Sequence, residues 1–249
     1  RFEHKAVRAQ SAQRALFGKE LRRFTASPNY MLNCGLGILM LPVAGIVLLI
    51  KGGALGRMLE DVFGANTGIV PVLMCAAVCL LASMNDMAAP SVSLEGKNLW
   101  LAQSLPVVPW QVLRAKLDVQ LVLTGVPVLF CALCMVIVLP GSAAEMALAV
   151  VVALLYTLLS ALAALALGLK MPNLTWTNET TPIKQSGCVM LALFANWFYA
   201  IALGGLYFLC GNVLSAAAYL AIFAVVTAAG SALLIRWVKK QGARIFAAL

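Results

Sequence analysis

The chain has 249 residues, 63% of them hydrophobic and only 11% charged, and carries a formal net charge of +9 at pH 7. A water-soluble protein of this size needs far more polar surface to cover its core, so the composition excludes an ordinary soluble domain and points to an all-α, polytopic membrane protein. The positive charge reads as topology and contact with anionic headgroups; no stacking platform or nucleic-acid motif accompanies it, so nucleic acid is not an expected partner.

The chain starts at Arg1, not Met, and residues 1–28 look neither like a signal peptide nor like a soluble domain, so a fragment or processed form is expected. Residues 14–25 predict a short amphipathic helix. Phe17, Leu21 and Phe24 recur at i, i+4 and i+7 beside Leu16, while Lys19, Arg22 and Arg23 lie elsewhere on the wheel. Ser27-Pro28 breaks it. Beside a membrane such a helix lies in the headgroup plane; the alternative is a solvated tail that only carries the orientation signal.

Apolar stretches follow at about residues 30–50, 68–89, 118–139, 144–169, 187–209 and 213–237. Each is near the roughly 20 residues an α-helix needs to cross a hydrocarbon core. Residues 29–249 therefore predict a domain of six transmembrane helices. Of the 18 Lys and Arg, all but Lys51 and Arg57 lie before the first stretch, in the second and fourth connections or in the C-terminal tail. Cationic segments stay inside, which places both termini in the cytoplasm.

The fourth stretch carries Ser160, Ala164 and Gly168 at four-residue spacing, with Ala153, Thr157 and Ala161 as a parallel seam. Small residues at that period let helices approach closely in lipid. Pro42, Pro71 and Pro127 sit inside or near the start of stretches, where kinks are tolerated. Trp197, Trp237, Tyr30, Tyr207 and Tyr219 mostly fall near stretch ends and suit interfacial anchoring. Charges inside the stretches are nearly absent: Asp118 and Glu145 stand at stretch starts, and Asp86, near the cytoplasmic end of the second, reads as a polar hinge or ion contact, or more simply as an interfacial residue capping a helix end.

Much chemistry is missing. The single histidine, His4, lies in the basic tail, which argues against a His-dependent hydrolase or a His-ligated metal site. No phosphate-cradling Gly-rich loop is present, so no ATP hydrolysis is expected in this chain. The seven cysteines lie in or at the edges of apolar stretches; Cys131 and Cys134 form a Cys-x-x-Cys without a companion pair and read as packing residues. No catalytic residue, metal or cofactor is expected. The sequons at Asn173 and Asn178 lie in the fourth connection, assigned to the cytoplasm, and read as polar loop chemistry.

The second connection, residues 88–117, is unlike a plain linker. Leu94, Leu101 and Leu105, with Leu99 and Trp100 nearby, predict one apolar face of a short helix that Pro106 and Pro109 end. Such a helix suits docking into a partner's groove, or lying on headgroups. The run Ser93-Leu94-Glu95-Gly96-Lys97-Asn98-Leu99-Trp100, followed by Ser104-Leu105-Pro106 and Leu113-Arg114-Ala115-Lys116, resembles a stretch of bacterial ABC-2-type exporter permeases. Pro172-Asn173-Leu174-Thr175-Trp176-Thr177-Asn178-Glu179, with Ile183-Lys184-Gln185, is similar to that family's Pro-x-Leu-x-Trp-x-Asn segment, and Lys19 to Phe24 with Ser27-Pro28 resembles its lead into the spans.

The resemblance implies a bacterial plasma-membrane permease without catalytic activity of its own, and a longer parent chain of which this is the C-terminal half. Phe17, Leu21 and Phe24 would belong to an in-plane elbow helix. Glu95, Gly96, Lys97, Leu99, Trp100 and Leu101 would form a coupling helix seated in a separate ABC ATPase subunit. Trp176, Asn178 and Glu179 would form a second cytoplasmic loop motif. A second permease half or homodimer partner, and membrane lipid, complete the implied partners. The very short fifth connection departs from a family that often places re-entrant helices there. Rival readings are a secondary carrier that needs no ATPase, for which neither intramembrane carboxylates nor an internal repeat is visible, and a membrane assembly partner without a transport path.

Overall fold

The computed structural model describes residues 11–63, 68–211 and 213–249. His4 lies outside them. The described chain runs α1 (Ala12–Ala26), α2 (Pro28–Cys34), α3 (Leu36–Phe63), α4 (Ile69–Ala82), α5 (Ala88–Ser91), a 3₁₀ turn (Ser93–Asn98), α6 (Leu99–Gln103), α7 (Pro109–Val138), α8 (Ala143–Lys170), α9 (Thr180–Lys184), α10 (Gly187–Cys210), α11 (Ala216–Trp237), a π turn (Val238–Gly242) and α12 (Ala243–Ala248). Among the described residues the one element of β pairing is an isolated bridge between Gly35 and Asn85.

Among the described residues, five helical segments are long and apolar enough to cross a membrane: Leu36–Phe63, Pro109–Val138, Ala143–Lys170, Thr180–Cys210 (α9 with α10) and Ala216–Ala248 (α11 through α12). Their outward faces are apolar, as at Leu39 and Ile50 on α3, Phe198 and Leu209 on α10, and Val225 and Leu233 on α11. So much exposed hydrocarbon would drive aggregation in water; lipid is its natural solvent. These features suit a multi-pass membrane protein.

The second stretch departs from its predicted form. In place of a span over 68–89, α4 ends at Ala82 after 14 residues, about 21 Å at 1.5 Å per residue and short of a hydrocarbon core about 30 Å thick. Residues 83–87 are irregular before α5 resumes. Ser83, Asn85 and Asp86 offer the backbone competing hydrogen bonds, and Pro90 clashes with the carbonyl four residues back. α4 survives because it is wrapped by protein, with Val72, Cys75 and Cys79 fully buried.

α8 is the central helix, packing against α4, α5, α7, α10 and α11. Its small-residue seam lies inside: Ala153, Thr157, Ser160, Ala161, Ala164 and Gly168 are all buried. At Gly168 the carbonyl oxygen of Ala89 occupies the space a Cβ would need, so α5 rests directly on the α8 backbone. Its start is fixed by Ser142, which accepts a hydrogen bond from the Glu145 N–H at 3.3 Å while Glu145 reaches back to the Ser142 N–H at 3.0 Å.

The tyrosines expected as interfacial anchors are core residues. Tyr30 donates to the Met87 carbonyl at 2.6 Å, and Tyr219 donates to the Leu203 carbonyl at 2.8 Å with its ring 5.1 Å from that of Tyr207. Each buried phenol has a partner or an aromatic neighbour inside the bundle, so it has no need of the interface. Trp197 sits mid-helix on α10, half exposed, while Trp237 lies near the end of α11 with the Lys170 ammonium 5.2 Å above its ring. Cys131 and Cys134 are buried free thiols on α7.

Candidate functional site

The segment 93–105 is two short pieces and not one helix. Gly96 takes φ +52°, in the region that favours glycine, and resets the phase between the 3₁₀ turn and α6. The apolar face expected over 94–105 therefore splits. Leu94 and Leu99 turn inward and are buried, whereas Trp100 is 63% and Leu101 53% exposed, with Leu105 and Val108 exposed beyond them. Lys97 and Asn98 are also exposed. The chain then turns through 104–108, and Pro109 starts α7 at its first position, where a missing N–H costs nothing.

The two loop motifs, far apart in sequence, meet. Trp176 donates its indole N–H to the Ser93 carbonyl at 2.6 Å, and the Asn173 N–H donates to Ser93 Oγ at 3.0 Å. The Trp176 ring stands 3.3 Å from where a Cβ on Gly96 would be. Asn178 is exposed and accepts the Thr180 N–H at 3.0 Å, opening α9. Glu179 is half-buried and joins no ion pair among the described residues. Replacing Gly96 by Ala is expected to lower unfolding free energy by about 1–3 kcal/mol, through backbone strain as well as the indole contact. A Gly96→Ala/Trp176→Ala double variant separates the two. Full recovery of stability in a denaturant or SDS titration would leave the strain with no part.

Glu95 faces inward. It is 4% exposed and anchors a charge network that joins three elements. From α7, Lys116 Nζ lies 2.7 Å from Glu95 Oε1 and 3.1 Å from Glu20 Oε2, and donates to the Ser91 carbonyl at 3.0 Å. From α1, Arg23 Nη2 lies 2.6 Å from Glu95 Oε2, Arg23 Nη1 is 3.4 Å from Glu20, and Lys19 Nζ is 3.3 Å from Glu95. Burial by itself would raise the Glu95 carboxyl; the Lys116 ammonium and the Arg23 guanidinium outweigh it and hold the group well below the usual carboxylate range.

Two members of this network, Glu20 and Lys116, lie in stretches that carry the family resemblance but were not expected as site residues. Glu20 had a signal. It shares a face with Leu16 and Phe24 at four-residue spacing, and those three are the buried residues of α1. Phe17 and Leu21 flank that face, half-buried against a cluster that includes Met87, Leu94 and Val119. Lys116 stood in the Leu113–Lys116 run, but its α7 segment is buried on most sides and no periodicity marked it as the partner of an acid.

The basic segments gather at one end of the bundle. α1 reaches Glu95, the 172–185 loop reaches Ser93, and Gln103 donates to the Phe246 carbonyl of α12 at 2.8 Å. Lys239 sits 5.3 Å over the Trp110 ring. Glu20 and Glu95 are both paired with cations here, and the largely exposed segment Trp100 to Val108 projects from this braced root. No protein-family model matches the chain, and no curated protein or solved structure is similar to it.

Proposed function

We propose that the chain is the membrane-spanning permease part of an ABC exporter of the ABC-2 type, in a bacterial plasma membrane with both termini cytoplasmic, driven by a separate ATPase subunit. The supporting observation is the braced tip. Trp100 and Leu101 stand exposed on a segment whose root is tied by ion pairs to α1 and α7 and by hydrogen bonds to the 172–185 loop. A push on that tip is carried into α7, a helix long enough to span the membrane. Aromatic anchors on a firm base are the kind of residue that dominates protein docking. The convergence of cationic segments on the same end supports its cytoplasmic placement. In this reading α1 is the elbow, residues 95–105 are the coupling segment, and a second permease half completes the path.

The test is a mild-detergent pull-down of the tagged protein beside a Trp100→Ala/Leu101→Ala variant. Glu95 is the wrong residue to change, since it is buried and its loss disturbs folding. An ABC ATPase is expected with wild type, reduced at least about tenfold in the variant, as two lost anchors of about 1–2 kcal/mol each imply. A folded, abundant wild type that brings down no ATPase sinks the reading and moves the carrier forward.

A further inference from the structure

We propose that Asp86 is the seat of a single monovalent cation, a proton or an alkali-metal ion, held where two broken helices cross. The proposal stands apart from the exporter reading and survives its failure.

The α2–α3 boundary at Gly35 faces the α4–α5 break. The two are paired by the Gly35–Asn85 bridge and by the Asp86 N–H, which donates to the Cys34 carbonyl at 3.1 Å. Other side chains replace the helical hydrogen bonds that the break removes. Gln120 of α7 donates to the Asn85 carbonyl at 3.0 Å and accepts the Ala88 N–H at 2.7 Å, while Tyr30 takes the Met87 carbonyl. The break is thus a constructed feature, with its backbone partnered from two neighbouring helices.

Its side chains are treated differently. Asn85 is fully buried and Asp86 is 4% exposed, yet neither oxygen of Asp86 and neither polar atom of Asn85 has a hydrogen-bond partner among the described residues. Asn85 Oδ1 is pressed against α3, 2.8 Å from where a Cβ on Gly37 would stand. The expected role for Asp86, capping a helix end at the interface, is therefore overturned, because its carboxyl caps nothing and is inside.

An isolated carboxylate in such surroundings is costly, so its charge is compensated. No lysine or arginine pairs with it among the described residues; the nearby buried cation, Lys116, is committed to Glu20 and Glu95. Among the described residues, the titratable groups whose ionisation feels Asp86 include Tyr30 and Cys34 of α2, Tyr156 of α8 and Cys188 of α10. None is a cation, and the Tyr156 hydroxyl is itself without a partner among the described residues. One negative charge calls for one positive charge. A divalent ion would leave an uncompensated positive charge beside this single carboxylate, and no group of three or more His, Cys, Asp or Glu side chains is present among the described residues to balance it. Broken helices in apolar bundles are where membrane proteins place such ions.

The experiment is thermal unfolding of the full chain in detergent, wild type beside Asp86→Asn, which keeps the shape and removes the charge. One series raises pH in choline chloride; the other replaces choline by sodium or potassium at fixed pH and ionic strength. A cation bound to the folded state alone stabilises it while bound. With a proton, the wild-type midpoint falls by about 3 °C or more as pH rises; with an alkali ion it rises by about as much on adding the salt; Asp86→Asn stays flat in that series. Should Asp86→Asn not fold, infrared spectra of the wild type serve: a protonated-carboxyl C=O band that vanishes at alkaline pH, or on adding sodium, supports the proposal. Parallel curves for the two proteins in both series, or wild-type spectra that neither condition changes, would overturn it.

Discussion

Replacing Lys116 by Met is expected to destabilise the protein by about 3–5 kcal/mol, the usual result of stranding buried acids without one of their partners. The Lys116 side chain is completely buried, between Glu20 and Glu95, both themselves buried. Methionine fills the same volume, so packing changes little and the loss reports the charge. A Lys116→Met/Glu95→Gln double variant is expected to recover about 1 kcal/mol or more relative to the single one, because the two sites are coupled. SDS-titration unfolding measures all three proteins; a Lys116→Met cost below about 1 kcal/mol would show that the network is not what holds α1 to α7.

The same network sets an acid limit. Glu95 is held below its unfolded value, so its contribution is present above that value, near pH 4.3, and is withdrawn as pH falls through the lower folded one. Wild type is expected to lose stability progressively below about pH 4, and Glu95→Gln, already weaker at neutral pH, to lose less over the same range.

Replacing Gln120 by Leu is expected to cost about 2–5 kcal/mol and to loosen the break between α4 and α5. Two buried backbone groups, the Asn85 carbonyl and the Ala88 N–H, lose their partner together, and each stranded group costs about 1–3 kcal/mol. The expected signature is local as well as global: amides at 86–92 exchange hydrogen faster while those of α8 change far less. Unchanged exchange at Ala88 in a destabilised variant would mean that the cost came from elsewhere in α7. Because α5 sits between the break and the Ser93–Gln103 segment, loosening it is also expected to weaken ATPase capture if the exporter reading holds.

Sequence patterning alone determined that this chain is helical and apolar, with helices long enough to span a membrane, though five and not six among the described residues; it located 144–169, 187–209 and the end of 213–237 to within a residue or two of α8, α10 and α11. Long uninterrupted apolar runs leave the backbone no alternative to a helix, which is why those elements were legible. It also marked the two connections that come together at Ser93, Gly96 and Trp176, though not their contact. Tertiary structure decided the rest. The second stretch breaks because Gln120 and Tyr30, from other helices, supply the hydrogen bonds that an isolated chain would seek by staying helical. Glu95 turns inward because Lys116 and Arg23 meet it there. Periodicity records which side of a helix is apolar; it carries no record of a charge whose partners arrive from elements 20 or 70 residues away, as Lys116 and Arg23 do.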